Sequence, residues 1–208
     1  MKLYVEGGGD ANTLKTACRA GFAEFLRKAG LERRPRIVAC GSRKNAYDSY
    51  CTAIAAGEDA LLLVDSETAV TEECQQGEAK NWSPWRHLRQ RQGDQWEKPA
   101  SADEQDCHLM VQCMEAWFLA DRETLRAFFG PGLNEHALPA AGRLVETIAK
   151  EQLYRELARA TRNCTTKGQY GKGEHSFKLL KMIDPDKVTA ASAWAKRFVE
   201  NAKAKMGC

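Results

Sequence analysis

Apolar and polar positions follow two different rhythms over the first third of the chain. Lys2 to Val5 is a short apolar strand that runs into Glu6 and the glycine run Gly7-Gly8-Gly9. Leu14, Ala17, Cys18, Gly21, Phe22, Phe25, Leu26 and Ala29 then recur at the i, i+3, i+4, i+7 spacing of one helical face. Asn12 or Thr13 is placed to cap that helix and Gly30 to end it. After Pro35 comes a second strand, Arg36 to Cys40, and Gly41-Ser42 turns the chain into a helix that runs to about Ala56. Asp59 to Val64 is a continuous apolar run, the pattern of a strand covered on both faces, and it ends in Asp65-Ser66-Glu67. Strands alternating with helices at such short intervals predict an α/β fold with a mostly parallel sheet and flanking helices.

From Thr68 to about Gln105 the pattern dissolves into polar residues with Trp82, Trp85, Trp96 and several arginines. That length exceeds a plain connection and predicts a functional loop or lid. Cys107 to Met114 reads as a fourth strand ending at Glu115, followed by a helix from about Ala116 to Phe129 and a break at Gly130-Pro131-Gly132. The remainder reads as helical: roughly Ala140 to Thr161, a Gly- and Lys-rich loop Thr165 to Gly173, a short helix from His175 to Ile183, and Ala190 to Lys205. The expected organisation is an α/β domain over residues 1–130 with a helical C-terminal extension, 131–208, packed on it.

Composition narrows the class. In 208 residues, 43% are hydrophobic and 28% charged, which supports a core and excludes collagen, coiled coil, extended disorder and a disulfide miniprotein. No apolar run approaches the roughly 18 residues of a membrane span, and the N-terminus does not read as a signal peptide, so a cytoplasmic protein without a membrane partner is expected. The eight cysteines include no C-x-x-C pair and read as small buried hydrophobes in a reducing compartment rather than a zinc site. A net charge of +3 is only mildly basic, so the distribution of charge matters more than its total.

The distribution is informative. Three of the four expected strands end in carboxylates: Glu6, Asp65 with Glu67, and Glu115. In a parallel sheet the C-terminal strand ends share one edge, where open α/β folds place ligands. Carboxylates gathered there repel one another unless a cation neutralises them, and Mg²⁺ or Mn²⁺ takes oxygen ligands. Asp10 follows Glu6 across three glycines, whose turn can aim both acids at one ion and bring backbone N–H groups to a phosphate. The competing reading is that each acid caps a helix or faces water.

VEG at the end of the first strand, with Asp65-Ser66-Glu67 in place of a later D-x-D, resembles the Toprim domain of topoisomerases, primases and related nucleases. Glu67 departs from that pattern in the length of its arm. The spacing of Glu6-Gly7 and Asp10 further resembles the E-G-x-x-D motif of the OLD (overcoming lysogenization defect) nucleases. Along its whole length the chain is similar to domain-of-unknown-function family 4276, carried by LYVEGGGD, IVACGSRKNAYD, LLLVDSE, HLMVQCMEAWFLAD and KGEHSFKLL.

The resemblance implies a Toprim-like, Rossmann-like fold and a two-metal phosphodiesterase. A nucleophilic tyrosine on a separate DNA-binding domain, or the zinc and helicase-binding modules of a primase, are not expected in this chain, which leaves hydrolysis. Glu6, Asp65 and Glu67 would hold one metal, and Asp10 with Glu115 a second. Lys172 and His175 are the candidates beside the scissile phosphate, with a solvated lysine and a helix-start histidine as the alternative. Arg43, Lys44 and Lys178, with Arg86 and Arg89 among the tryptophans, are candidates for nucleic-acid contact; half-buried tryptophans meeting another protein would look the same.

OLD nucleases carry an ATPase domain, and no G-x-x-x-x-G-K-[ST] occurs here, so the resemblance implies a separately encoded ABC- or AAA-type ATPase in phage defence. The alternatives are a non-catalytic regulatory or toxin-like partner of an ATPase and a metal-nucleotide binding module. Trp117, Phe118, Phe128 and Phe129 fit the core at their helical spacing, and as an alternative a homodimer face.

Overall fold

The computed structural model describes residues 1–207. Its centre is a four-stranded sheet of β1 (Lys2–Gly8), β2 (Arg36–Gly41), β3 (Ala60–Asp65) and β4 (Cys107–Met110), all parallel, in the order β2-β1-β3-β4. The expected α/β class, a Rossmann-like parallel sheet flanked by helices and consistent with a Toprim-like fold, is the observed one.

Period-two geometry sends alternate β3 residues to opposite faces. Leu61 and Leu63 join the core with Leu3, Val5 and helix α1 (Asn12–Lys28), while Leu62 and Val64 pack with Tyr4 and helix α2 (Arg43–Ala55). Both faces are therefore covered, and β3 is buried along its whole length. The buried face of α1, Cys18, Phe22, Phe25 and Leu26, is the one its spacing predicts. Neither Asn12 nor Thr13 caps it: Ala11 occupies the cap position without a side-chain hydrogen bond. The cap of α2 is Ser42, whose side chain accepts from the Asn45 N–H.

The segment after β3 is not an open lid. It holds a short helix, α3 (Pro84–Gln90), and lies over the α2 face of the sheet. β4 stops at Met110, and residues Met114–Ala120 form 3₁₀ turns before α4 (Arg122–Phe129) starts at Asp121, which caps the Thr124 N–H. The helix expected over Ala116 to Phe129 is thus split by a capping aspartate.

Four more helices complete the chain: α5 (Lys150–Thr161), α6 (Lys172–Met182), α7 (Pro185–Ala191) and α8 (Ala193–Met206). α5 starts ten residues later than its pattern suggests. The expected helix over Ala190 to Lys205 breaks at Ser192, whose hydroxyl caps the Ala195 N–H and donates to Glu146. Leu153, Leu157, Phe177, Leu180 and Phe198 share one apolar cluster with Leu3, Val5 and Phe22, so the C-terminal helices and the sheet are welded together. Trp117, Phe118, Phe128 and Phe129 all lie in that core. Among the described residues no helix is long and apolar enough to cross a membrane.

Candidate metal centre

The chain steps from β1 outward to β2 on one side and returns past β1 to β3 on the other, so the strand order reverses and a crevice opens at the C-terminal ends of β1 and β3. Glu6 sits at the end of β1, Asp65 is the last residue of β3, and Glu67 follows two residues on. One carboxylate oxygen from each lies within 4.8 Å of the others. Three oxygen donors at this spacing suit a hard divalent cation.

Local backbone geometry builds the cluster. The Asp65 N–H donates to Glu6 Oε2 at 3.0 Å, and Asp65 Oδ1 accepts from the Met114 N–H at 2.9 Å. Glu67 has φ of +66°, in the left-handed region that disfavours a side chain by about 1–2 kcal/mol. Its N–H is held by the Gln112 carbonyl at 2.9 Å. A non-glycine residue kept in this conformation at a strand end turns its carboxylate back to the other two.

The glycine turn after Glu6 passes tightly against its neighbours. At Gly41, φ is +82° and a Cβ would lie 2.7 Å from the Gly9 carbonyl oxygen; at Gly8, φ is +88° and a Cβ would lie 2.8 Å from Lys15 Cα. Side chains are excluded at both points, and the backbone stays bare beside the acids.

Electrostatics show how costly the cluster is. Burial and the nearby Asp65 push the Glu6 carboxyl well above the usual carboxylate range. Asp65 is raised as well, by burial first and then by Glu115. Cations answer them: Lys150 Nζ lies 2.5 Å from Glu67 Oε1 and 3.3 Å from Asp65 Oδ2. Arg43 donates to the Asp65 carbonyl, lies 3.9 Å from Glu67 Oε1, and pairs with Asp94 at 2.5 Å. The Lys150 ammonium is a resident stand-in for a cation on these oxygens, which shows that the donor set accepts positive charge there.

Lys150, Arg43 and Lys172 are each the first residue of a helix, α5, α2 and α6. A basic residue at a helix N-terminus opposes the macrodipole. Two of these starts, Arg43 and Lys150, are held at the acidic crevice by the carboxylates they meet, while Lys172 lines it over the Tyr154 ring. Lys150 carries no motif, lies 83 residues from Glu67 and falls inside the helix expected over Ala140 to Thr161, so nothing in the sequence marks it.

The other candidates are distributed differently. Among the described residues the three-acid group includes neither Asp10 nor Glu115. Asp10 is exposed on the glycine turn. Glu115 is fully buried, its oxygens held by Tyr154 Oη at 2.9 Å, Ser176 Oγ at 3.0 Å and Tyr170 Oη at 3.2 Å. It ties α5 and α6 to the crevice rather than completing a second ligand set with Asp10. These three hydroxyl partners were also missed.

Lys172 is exposed, lines the crevice and sits 5.5 Å over the Tyr154 ring. His175 does not line it. Its ring is buried against Phe128 and Phe129, Nδ1 accepts from the Gly171 N–H at 2.9 Å, and burial lowers its pKa. Lys44 is exposed and pairs with Asp48, while Lys178 is exposed on α6.

The tryptophan segment is a correction to the expectation of a base-stacking lid. Trp85 and Trp96 are buried, Trp85 against Tyr50 and Trp96 stacked on Tyr47 at 4.6 Å, and Trp82 packs on Trp194. Arg86 pairs with Glu73, and Arg89 stands 4.0 Å from Glu97. What the segment does bring to the centre is Asp94 and Trp96, which clamp Arg43 by an ion pair and a ring face 5.0 Å away.

Fold and site together define a Rossmann-like α/β protein with an acidic, cation-accepting crevice at the switch point of its sheet. A family model described as "Domain of unknown function (DUF4276)" matches residues 5–201, and the chain belongs to that family. No curated protein matches the chain, and neither does any solved structure.

Proposed function

We propose that the chain is a divalent-metal-dependent nuclease of Toprim type that cleaves phosphodiester bonds, as the effector of a separately encoded ATPase in phage defence. One observation carries the catalytic part: Glu6, Asp65 and Glu67 place oxygen donors within 4.8 Å at the sheet edge where α/β folds bind ligands. These three residues would hold Mg²⁺ or Mn²⁺, which when bound supplies Lewis-acid polarisation of a phosphoryl oxygen. The chain's own groups have separate tasks. Lys172 offsets phosphate charge from the crevice wall, the glycine turn admits a phosphate to bare backbone, and Arg43 fixes the end of β3. The ATPase and the defence role rest on the resemblance to OLD nucleases alone.

The second reading, a regulatory or toxin-like partner of an ATPase with a dormant site, draws on Lys150, which already neutralises Asp65 and Glu67. Incubating the protein with Mn²⁺ and labelled single- and double-stranded DNA and RNA decides between them. Cleavage that falls about a thousandfold in Asp65→Asn, the several kcal/mol a metal contributes, fits the nuclease reading. Cleavage equal in wild type and Asp65→Asn, with the variant folded, refutes it.

A further inference from the structure

Beside the acidic cluster lies a cleft of about 330 Å³. Ligand pockets run from about 300 to 1,000 Å³, so this one holds a single nucleotide-sized group and no double helix. It borders Glu6, Asp65 and Glu115, Lys172 also lines it, and Leu14, Met110, Met114 and Phe177 give it apolar walls.

Its surroundings do not suit tracking along a charged backbone. Proteins that bind nucleic acid through phosphates align many uncommitted lysines and arginines. Here Arg43 and Arg91 are paired with Asp94, and Lys44 with Asp48. Lys172 lies over the Tyr154 ring and, among the described residues, is in no ion pair. Among the described residues that line the cleft Lys172 is the cation, and a single cation in a lining of apolar walls suits a flat aromatic group attached to one phosphate.

We propose that this cleft takes one unpaired nucleotide, its base against the apolar walls and its phosphate between Lys172 and the acidic edge. The proposal rests on the metal-dependent reading of that edge and adds the substrate class: a free nucleotide or an unpaired strand segment, not a paired duplex.

Gly173 lines the cleft, and a Cβ there would meet only Leu14 at an ordinary contact distance of 3.7 Å, so Gly173→Leu narrows the cleft without burying strain. Leu14→Trp, on the half-buried start of α1, fills it from a second element. Each variant is checked for folding by circular dichroism and for Mn²⁺ binding by calorimetry. Adenosine monophosphate, oligoadenylate and a blunt duplex are then titrated in Mn²⁺ onto wild type and both variants.

The expected result is oligoadenylate bound at least tenfold more tightly than the duplex. Its salt slope should be shallow, about −1. Both variants should lose at least tenfold while keeping Mn²⁺. Adenosine monophosphate binding as well as the strand assigns a free nucleotide; binding of the strand alone assigns an unpaired segment. Nucleotide binding without any Mn²⁺ binding supports the cleft and overturns the metal reading. Duplex bound as tightly as the strand, or folded variants that bind nucleotide like wild type, overturns the cleft.

Discussion

Two regions of the molecule look equally chemical in the sequence and come to different uses in the fold. The acids at the strand termini and the tryptophan-arginine segment both carry residues suited to nucleic acid. In the fold the acids stay uncompensated within their own elements and draw in Lys150 and Arg43 from distant ones. The segment instead buries Trp85 and Trp96 against the sheet and pairs Arg86 with an acid of its own neighbourhood. Residue type states what chemistry is available, and burial with charge balance decides where it is exercised.

The comparison can be broken first at Trp85. Its ring is buried and its N–H donates to the Asp103 carbonyl at 3.0 Å. Trp85→Ala should cost about 3–5 kcal/mol in urea unfolding, as for other large core truncations, with Mn²⁺ affinity unchanged below the transition. A variant as stable as wild type that has lost nucleic-acid binding would restore the stacking lid.

Lys150→Met tests the other side. Breaking a largely buried pair leaves two carboxylates without their cation, so stability without metal should fall by about 3 kcal/mol. Mn²⁺ should recover that loss and bind more tightly than to wild type. Unchanged Mn²⁺ affinity in Lys150→Met would mean that the ammonium and the metal do not share a place.

The pH dependence is a sharper and smaller effect. The folded-state pKa of Glu6 is raised to about 8 from an ordinary 4.5, chiefly by burial. The unfolded chain therefore loses this proton first, and stability without metal should decline as pH rises from about 4.5 to about 8. Glu6→Gln should flatten that part of the profile in thermal melts. A profile identical to wild type would show that Glu6 does not carry the shift.

The smallest effects belong to the segment's surface. Arg86→Ala and Arg89→Ala remove exposed ion pairs and should change stability by no more than about 0.5 kcal/mol, with nucleotide affinity unaltered. A tenfold loss of affinity in either would return those arginines to the interface.

Much of this was legible in the sequence, for identifiable reasons. The first three strands show because they alternate with helices at short range and each ends in a turn signal, and Glu6, Asp65 and Glu67 show because parallel order brings strand ends together. Helix boundaries from Ala116 onward were misplaced because Asp121 and Ser192 cap new helices inside apolar runs. Glu115 was read as a ligand because nothing local reveals that Tyr154, Tyr170 and Ser176 close over it. His175 looked available beside Lys172, yet its ring lies under Phe128 and Phe129. Lys150 was invisible for the converse reason, since its partners are far away in sequence.

The central claim is that three carboxylates from two strand ends form one cation site. It is tested most directly by calorimetric titration of Mn²⁺ into wild type, Glu6→Gln and Asp65→Asn, each confirmed folded, on either side of about pH 8. The account predicts binding to wild type that strengthens as pH rises and is lost in Asp65→Asn and Glu6→Gln. Binding that survives both substitutions, or a wild type that takes up no Mn²⁺ even at the higher pH, would contradict it.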